Sequence, residues 1–219
     1  MVDHSSTSSD RGRRSPRPTD EDMLDAASAV FSEAGFHAAT MDAVAARAHS
    51  TKPTLYAHFG SKDELFARCA ELAADTLRSA LFTAYSSASE LPLEQQVRAG
   101  MVAFFDYATV HPARFRLLFG PHTTGTASAA RLRLMSETAD AITQLIRNFT
   151  ERHGRRPWTT SAELCASFIV GMTVEGARHT VVTDSLDPAT AADFTTHFAV
   201  AALRNMDPHR ADAIDGRER

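Results

Sequence analysis

Thr51, Lys52, Pro53 and Thr54 occupy four consecutive positions, and Tyr56 and His58 follow within the next turn. Hydroxyls, an ammonium group and polar ring atoms gathered at the start of a helix suit one kind of chemistry. Free N–H groups and the helix dipole favour phosphate there. Short polar side chains in the same place can meet base edges in a major groove. Catalysis fits less well, because the sequence holds no Gly-x-Ser-x-Gly elbow, Walker loop, His-Glu-x-x-His pair or dinucleotide-binding glycine fingerprint.

The elements that must carry this cluster are legible from caps and spacing. Thr51 is placed to cap a helix with Pro53 in its first turn, where a missing N–H costs nothing, and Leu55 and Phe59 pack inward. A shorter helix, capped by Thr40 and burying Val44, Ala45 and Ala48, precedes it across a tight break at His49 and Ser50. Two short helices joined in this way, the second polar on one side, form the layout that enters a major groove. The same outline also occurs in proteins that never touch DNA, and Tyr56 and Phe59, three apart, could both be core aromatics. A first helix begins after Thr19 with Asp22 completing a capping box, carries Leu24, Ala27, Phe31 and Ala34, and stops at Gly35. Gly60 ends the third helix, and Ser61 with Glu64 opens a long fourth one bearing Leu65, Phe66, Cys69, Leu72 and Ala73.

Thr-Met-Asp-Ala-Val-Ala-Ala-Arg-Ala at 40–48, Lys-Pro-Thr-Leu-Tyr-Ala-His-Phe at 52–59 and the following Ser-Lys-Asp-Glu-Leu-Phe resemble the TetR family of regulators, over residues 20–66. The resemblance implies that Lys52, Pro53, Thr54 and Tyr56 approach bases or thymine methyls. It implies likewise that Thr40, Tyr56, His58 and Lys62 hold phosphates. His49 departs from the family's small-residue turn, so it must adopt an unusual φ or strain the turn. Asp20, Glu21, Asp22, Asp25 and Glu33 make the first helix acidic, and that face is expected to point away from DNA.

The fold class read from this pattern is all-α, with about nine helices. Residues 1–18 form a polar, disordered basic arm, 19–66 a helix-turn-helix head, 67–206 a larger effector-binding and dimerisation body, and 207–219 a frayed polar tail. Body helices are expected over 92–110, 112–119, 128–153, 161–183 and 189–206. Arg11, Arg13, Arg14 and Arg17 give the arm two open readings, a minor-groove contact or a solubilising tail.

The resemblance further implies a homodimer built from the last two helices, a palindromic double-stranded DNA operator, and release by a small-molecule effector, with repression as the family's default. Ala166, Gly171 and Gly176 would allow close helix approach, and Phe194, Phe198 and Ala201 recur as an interface stripe. Candidate effector contacts are Met101, Phe104, Phe105, Phe115, Leu118, Phe119, Leu134, Phe168, Met172, Glu175 and His179. Apolar stripes at helical spacing are more often plain core. Glu175 and His179, four apart beside Phe168 and Met172, read either as polar groups in a pocket or as a surface pair.

No third ligand at suitable spacing suggests a metal, and no cofactor is expected. Cys69 and Cys165 read as buried reduced thiols. At 219 residues and net charge −4, bulk electrostatics does not announce a nucleic-acid partner, so any contact must be local. No apolar run approaches the roughly 18 residues of a membrane span, which points to a cytoplasmic location. The rival reading is a dimeric helical small-molecule-binding protein without operator binding.

Overall fold

The computed structural model describes residues 18–154, 158–183 and 186–216, so Arg11, Arg13, Arg14 and Arg17 lie outside the described residues. Those residues form α1 (Asp20–Ala38), α2 (Met41–Arg47), α3 (Lys52–Phe59), α4 (Lys62–Ala88), α5 (Leu93–Val110), α6 (Pro112–Phe119), α7 (Gly125–Arg152), α8 (Thr160–Thr183), α9 (Pro188–Arg204) and α10 (Pro208–Ile214). Strands are absent among them.

The head is built on its caps. Asp22 N donates to Thr19 Oγ1 at 3.2 Å while Thr19 N donates to Asp22 Oδ2 at 2.8 Å, which satisfies two orphan amides at the start of α1. Ser61 and Glu64 repeat the arrangement at α4, at 3.1 and 2.8 Å. Gly35 leaves helical geometry at φ +77°, and a short turn continues to Ala38. Gly60 adopts φ +75°, and a Cβ there would lie 2.2 Å from Glu64 Oε2, so only glycine leaves the α4 capping box intact. Met23, Val44, Leu55 and Phe59 fill the space between the three head helices. Phe31, Phe36 and Phe66 close it from the α4 side, with Phe66 centred 5.0 Å from each of the other two rings. Ala34, placed on the buried stripe from spacing, is exposed.

α4 runs on from the head and buries Ala73, Ala74, Leu77 and Leu81 in the body. There α5 packs chiefly on α9 and α4, and α7 on α8 and α4. Tyr107 of α5 donates to the Ala73 carbonyl at 2.8 Å, fixing α5 on α4. Cys69 and Cys165 are free and buried, and burial pushes the Cys69 thiol up to about 12.

The tail expected to fray instead forms α10, capped by Asp207 with Pro208 in its first turn and Ala211 buried. Asp215 at its end accepts hydrogen bonds from Thr159 N at 3.0 Å and Ser161 N at 2.8 Å, and so caps α8 from 54 residues away. Burial raises the Asp215 carboxyl, but the Ser161 and Thr159 hydrogen bonds outweigh it and hold the group below its ordinary 3.8. The stabilisation is therefore complete above the unfolded carboxylate range and is lost as pH falls through the lowered folded value. Asp215→Ala is expected to lose about 1 kcal/mol at neutral pH, as for a removed N-cap. Urea unfolding at pH 7 and pH 3 checks it, since the gap from wild type must narrow at the acidic point.

Candidate functional site

α3 is aimed by the way α2 ends. His49 takes φ +49°, Ser50 N bonds Ala45 O at 2.9 Å and His49 N bonds Ala46 O at 3.3 Å. These are the two bonds of a Schellman stop, with histidine in the left-handed position usually given to glycine. The turn is thus made, at a strain of about 1 kcal/mol.

On α3 the apolar side is Leu55 and Phe59, both buried, while Tyr56 is 43% exposed, which settles which aromatic belongs to the core. Thr51, Lys52, Pro53 and His58 are exposed and Thr54 is half-buried. Thr51 Oγ1 accepts from Thr54 N at 3.3 Å, and the two threonine hydroxyls lie 2.8 Å apart. Thr40, also exposed, accepts from Ala43 N at 3.1 Å as the cap of α2.

The basic groups of this surface begin with partners inside the head. Lys52 Nζ lies 3.0 Å from Asp42 Oδ2, whose hydrogen bond and charge push the Lys52 ammonium above its ordinary range. His58 Nδ1 lies 2.6 Å from Asp20 Oδ1, and Arg47 2.8 Å from Glu33. Lys62 is held by neutral groups, donating to the His37 carbonyl at 3.3 Å and standing 4.7 Å above the Phe36 ring. Exposed pairs of this kind contribute roughly 0–1 kcal/mol, so a phosphate can displace the carboxylates. One acid of α1, Asp20, therefore stands beside the polar side of α3, where it meets His58.

Two more of those acids reach the body, to a residue that sequence reasoning missed. Arg114 of α6, its side chain 4% exposed, donates from Nε to Asp25 Oδ1 at 2.7 Å. It also donates from Nη2 to Glu21 Oε1 at 3.4 Å and from Nη1 to Thr76 Oγ1 at 3.4 Å. One guanidinium thus ties α1 of the head to α4 and α6. Arg114 and Arg116 look alike in sequence, and only the fold separates the buried one from its exposed neighbour.

Within the body, α4, α5, α7 and α8, with Leu203 of α9, line a cavity of about 50 Å³ that is partly open to solvent. The void is narrow, and nearly all its lining is apolar. Thr138 donates its hydroxyl to Leu134 O at 2.8 Å and Thr173 to Ile169 O at 2.6 Å, so both are already satisfied. A Cβ on Gly100 would lie 2.7 Å from Tyr85 Cε1, so glycine is what lets this ring lie against α5. Burial raises the Tyr85 phenol and keeps it neutral.

Of the residues expected around an effector, Met101 and Phe104 line this void, whereas Phe105, Phe115, Leu118, Phe119 and Leu134 are packed in the core outside it. Phe168, Met172, Glu175 and His179 lie on the outer side of α8, away from it. Glu175 is 68% exposed and pairs with Arg178 at 2.9 Å, which is the surface reading of that residue. The small residues divide as well. Ala166 is fully buried, and a Cβ on Gly176 would stand 3.1 Å from Phe105 Cζ, so both serve packing within the chain, while Gly171 opens to solvent. Phe168, Phe194 and Phe198 are 63%, 73% and 61% exposed, and Ala201 is exposed beside them. Among the described residues no group of three or more acids, histidines or cysteines is placed to hold a metal, and no helix is long and apolar enough to cross a membrane.

An exposed polar helix braced by a second short helix, on a head tied to a hollow helical body, defines a helix-turn-helix regulator. The profile described as "Bacterial regulatory proteins, tetR family" matches residues 23–69. HTH-type transcriptional activator FasR of Mycolicibacterium smegmatis is 33% identical over 200 residues, which cover 90% of this chain and 88% of that protein. A TetR-like transcriptional regulator from Rhodococcus sp. RHA1 superposes with TM-score 0.68 at 29% identity, covering 88% of this chain and all of the other. The fold is shared as well by FadR of Bacillus subtilis, solved in complex with stearoyl-CoA, at TM-score 0.67 and 13% identity over 84% of this chain and 98% of that one. The chain belongs to the TetR family of bacterial transcriptional regulators and is not an enzyme.

Proposed function

We propose that the chain works in the cytoplasm as a homodimer that binds a palindromic operator and is released from it by a small-molecule effector. The observation that carries the reading is the division of α3, with Leu55 and Phe59 buried while Lys52, Pro53, Tyr56 and His58 stand outward beside Thr51 and Thr54. Lys52, Pro53, Thr54 and Tyr56 face bases, and Thr40, Tyr56, His58 and Lys62 face phosphates, with Thr51 presenting the helix N-terminus. The exposed aromatics of α8 and α9 form the two-fold interface, since three rings at this exposure present on the order of 400 Å² of apolar surface.

The void in the body supports effector binding, and Arg114 with α4 supports its coupling to the head. An effector that prefers one spacing of the heads shifts the population, by about 1–3 kcal/mol in systems of this kind. Repression follows where the operator overlaps a promoter, while FasR, named as an activator, carries the other sign.

Fluorescence anisotropy on DNA flanking the chain's own gene, across a salt series, tests the reading. Lys62→Ala is expected to weaken binding to every sequence and to lower the salt slope by roughly 1, because no carboxylate shares its charge. Tyr56→Ala should lose operator preference. If wild-type dimer binds no duplex above the non-specific level, a helical small-molecule-binding protein without an operator becomes the better description.

A further inference from the structure

The void in the body does not end blindly. A wider hollow of about 420 Å³ adjoins it at the turn from α4 to α5 and the end of α7, and the two share Leu93, Gln96 and Leu145 as walls. The inner chamber is narrow and its threonines are satisfied, so what enters it must be slender and ask for few hydrogen bonds. A hydrocarbon chain meets both conditions. The outer hollow is different in kind, with Arg152, Asn148 and His153 of the α7 end facing Glu90 of the turn.

Arg152 there is lightly committed. Its nearest carboxylate, on Glu90, is 3.9 Å away at the limit of an ion pair and 87% exposed, so it exchanges readily for another anion. His153 Nδ1 lies 2.8 Å from the Phe149 carbonyl and its ring 4.2 Å from the Phe149 ring, which holds the imidazole at the rim. α5 starts at this rim with Pro92 as its N-cap and without a side-chain cap, leaving its first amides for water or a ligand oxygen. Gln96 Nε2 donates to Ser89 O at 3.1 Å and Leu91 O at 2.6 Å, so the residue that lines the throat also holds the turn closed over it.

We propose that the effector is an anionic amphiphile, its hydrocarbon chain lying in the inner chamber and its carboxylate or phosphate head held by Arg152 in the outer hollow. The proposal rests on the effector reading above and specifies which end of the molecule stays outside. Gln96 lines both spaces and is bonded to the turn after α4, which sets that turn beside the path of the chain.

Calorimetric titration of the full-length protein tests this with palmitate, palmitoyl-coenzyme A and hexadecanol, each below its critical micelle concentration, on wild type and on Arg152→Gln. Wild type is expected to bind the two anionic ligands roughly 10-fold more tightly than the alcohol, the usual size of one charge-assisted contact. Arg152→Gln should remove that margin and leave hexadecanol unchanged. A loss confined to palmitoyl-coenzyme A assigns the contact to a phosphate, a loss confined to palmitate assigns it to a carboxylate next to the chain, and a loss for both shows that Arg152 serves either anion. Equal binding of acid and alcohol by wild type, or anionic binding indifferent to Arg152→Gln, overturns the head-group assignment while the chamber stands. If none of the three binds, the amphiphile falls, and an apolar effector of another shape that displaces operator DNA would show that the broader reading survives it.

Discussion

Asp25→Ala is expected to destabilise the protein by about 3 kcal/mol, the low end of what breaking a buried ion pair costs, because the carboxylate is 54% exposed while its partner is not. Arginine cannot shed its proton. With Asp25 gone, the Arg114 guanidinium stays in a site where its side chain is 4% exposed, facing only Glu21 and Thr76, each at 3.4 Å. Glu21→Ala removes the longer bond to a 74% exposed acid and should cost less than about 1 kcal/mol. The inequality, read from urea midpoints at constant slope, is the test, and equal losses would refute the assignment of Asp25 as the principal partner. Arg114→Met offers a cleaner functional arm. An apolar side chain of similar length is tolerated where an ion pair was buried. The variant should fold, bind operator, and respond less to effector, because the contact joining α1 to α6 is gone.

Phe194→Asp should turn the dimer into a monomer. Its ring is 73% exposed on a face shared with Phe168 and Phe198. An aromatic at the centre of an interface is commonly worth about 2 kcal/mol or more, and a two-fold axis counts each substitution twice. Weakening of dimerisation by on the order of a thousand-fold follows. Sedimentation equilibrium reads it directly, and operator affinity at nanomolar protein should fall in parallel. Leu132→Asp, at a 63% exposed position of α7 outside that face, is the matched control and should leave the mass unchanged. A variant that stays dimeric would move the interface elsewhere.

The head was largely legible in the sequence because its determinants are local. Thr19 with Asp22 and Ser61 with Glu64 are three residues apart, and Thr40, Thr51, Gly35 and Gly60 each act within one turn of where they stand. The body was less so. Asp215 caps α8 from a distant helix, and α10 itself announces only the Asp-Pro pair that also starts α9. Helical spacing marks Phe104 and Phe105 equally as apolar, and only the packing of α5 between α4 and α9 decides that the first lines the void and the second meets Gly176. Glu175 and His179 share a helix side with Phe168, but that side turns outward. Arg114 could not be chosen over Arg116 without knowing where α1 lies.

The pairing of Lys52 with Asp42 and of His58 with Asp20 bears on how the proposed dimer would find one site among a chromosome of wrong ones. A cation that already has a carboxylate releases fewer counterions when it first touches a random phosphate, so the loose encounter is weak and brief. The exchange becomes worthwhile only where the bases also fit, and time lost on random sequence falls accordingly. Neutralising Asp20 or Asp42 should therefore strengthen binding everywhere and slow the search.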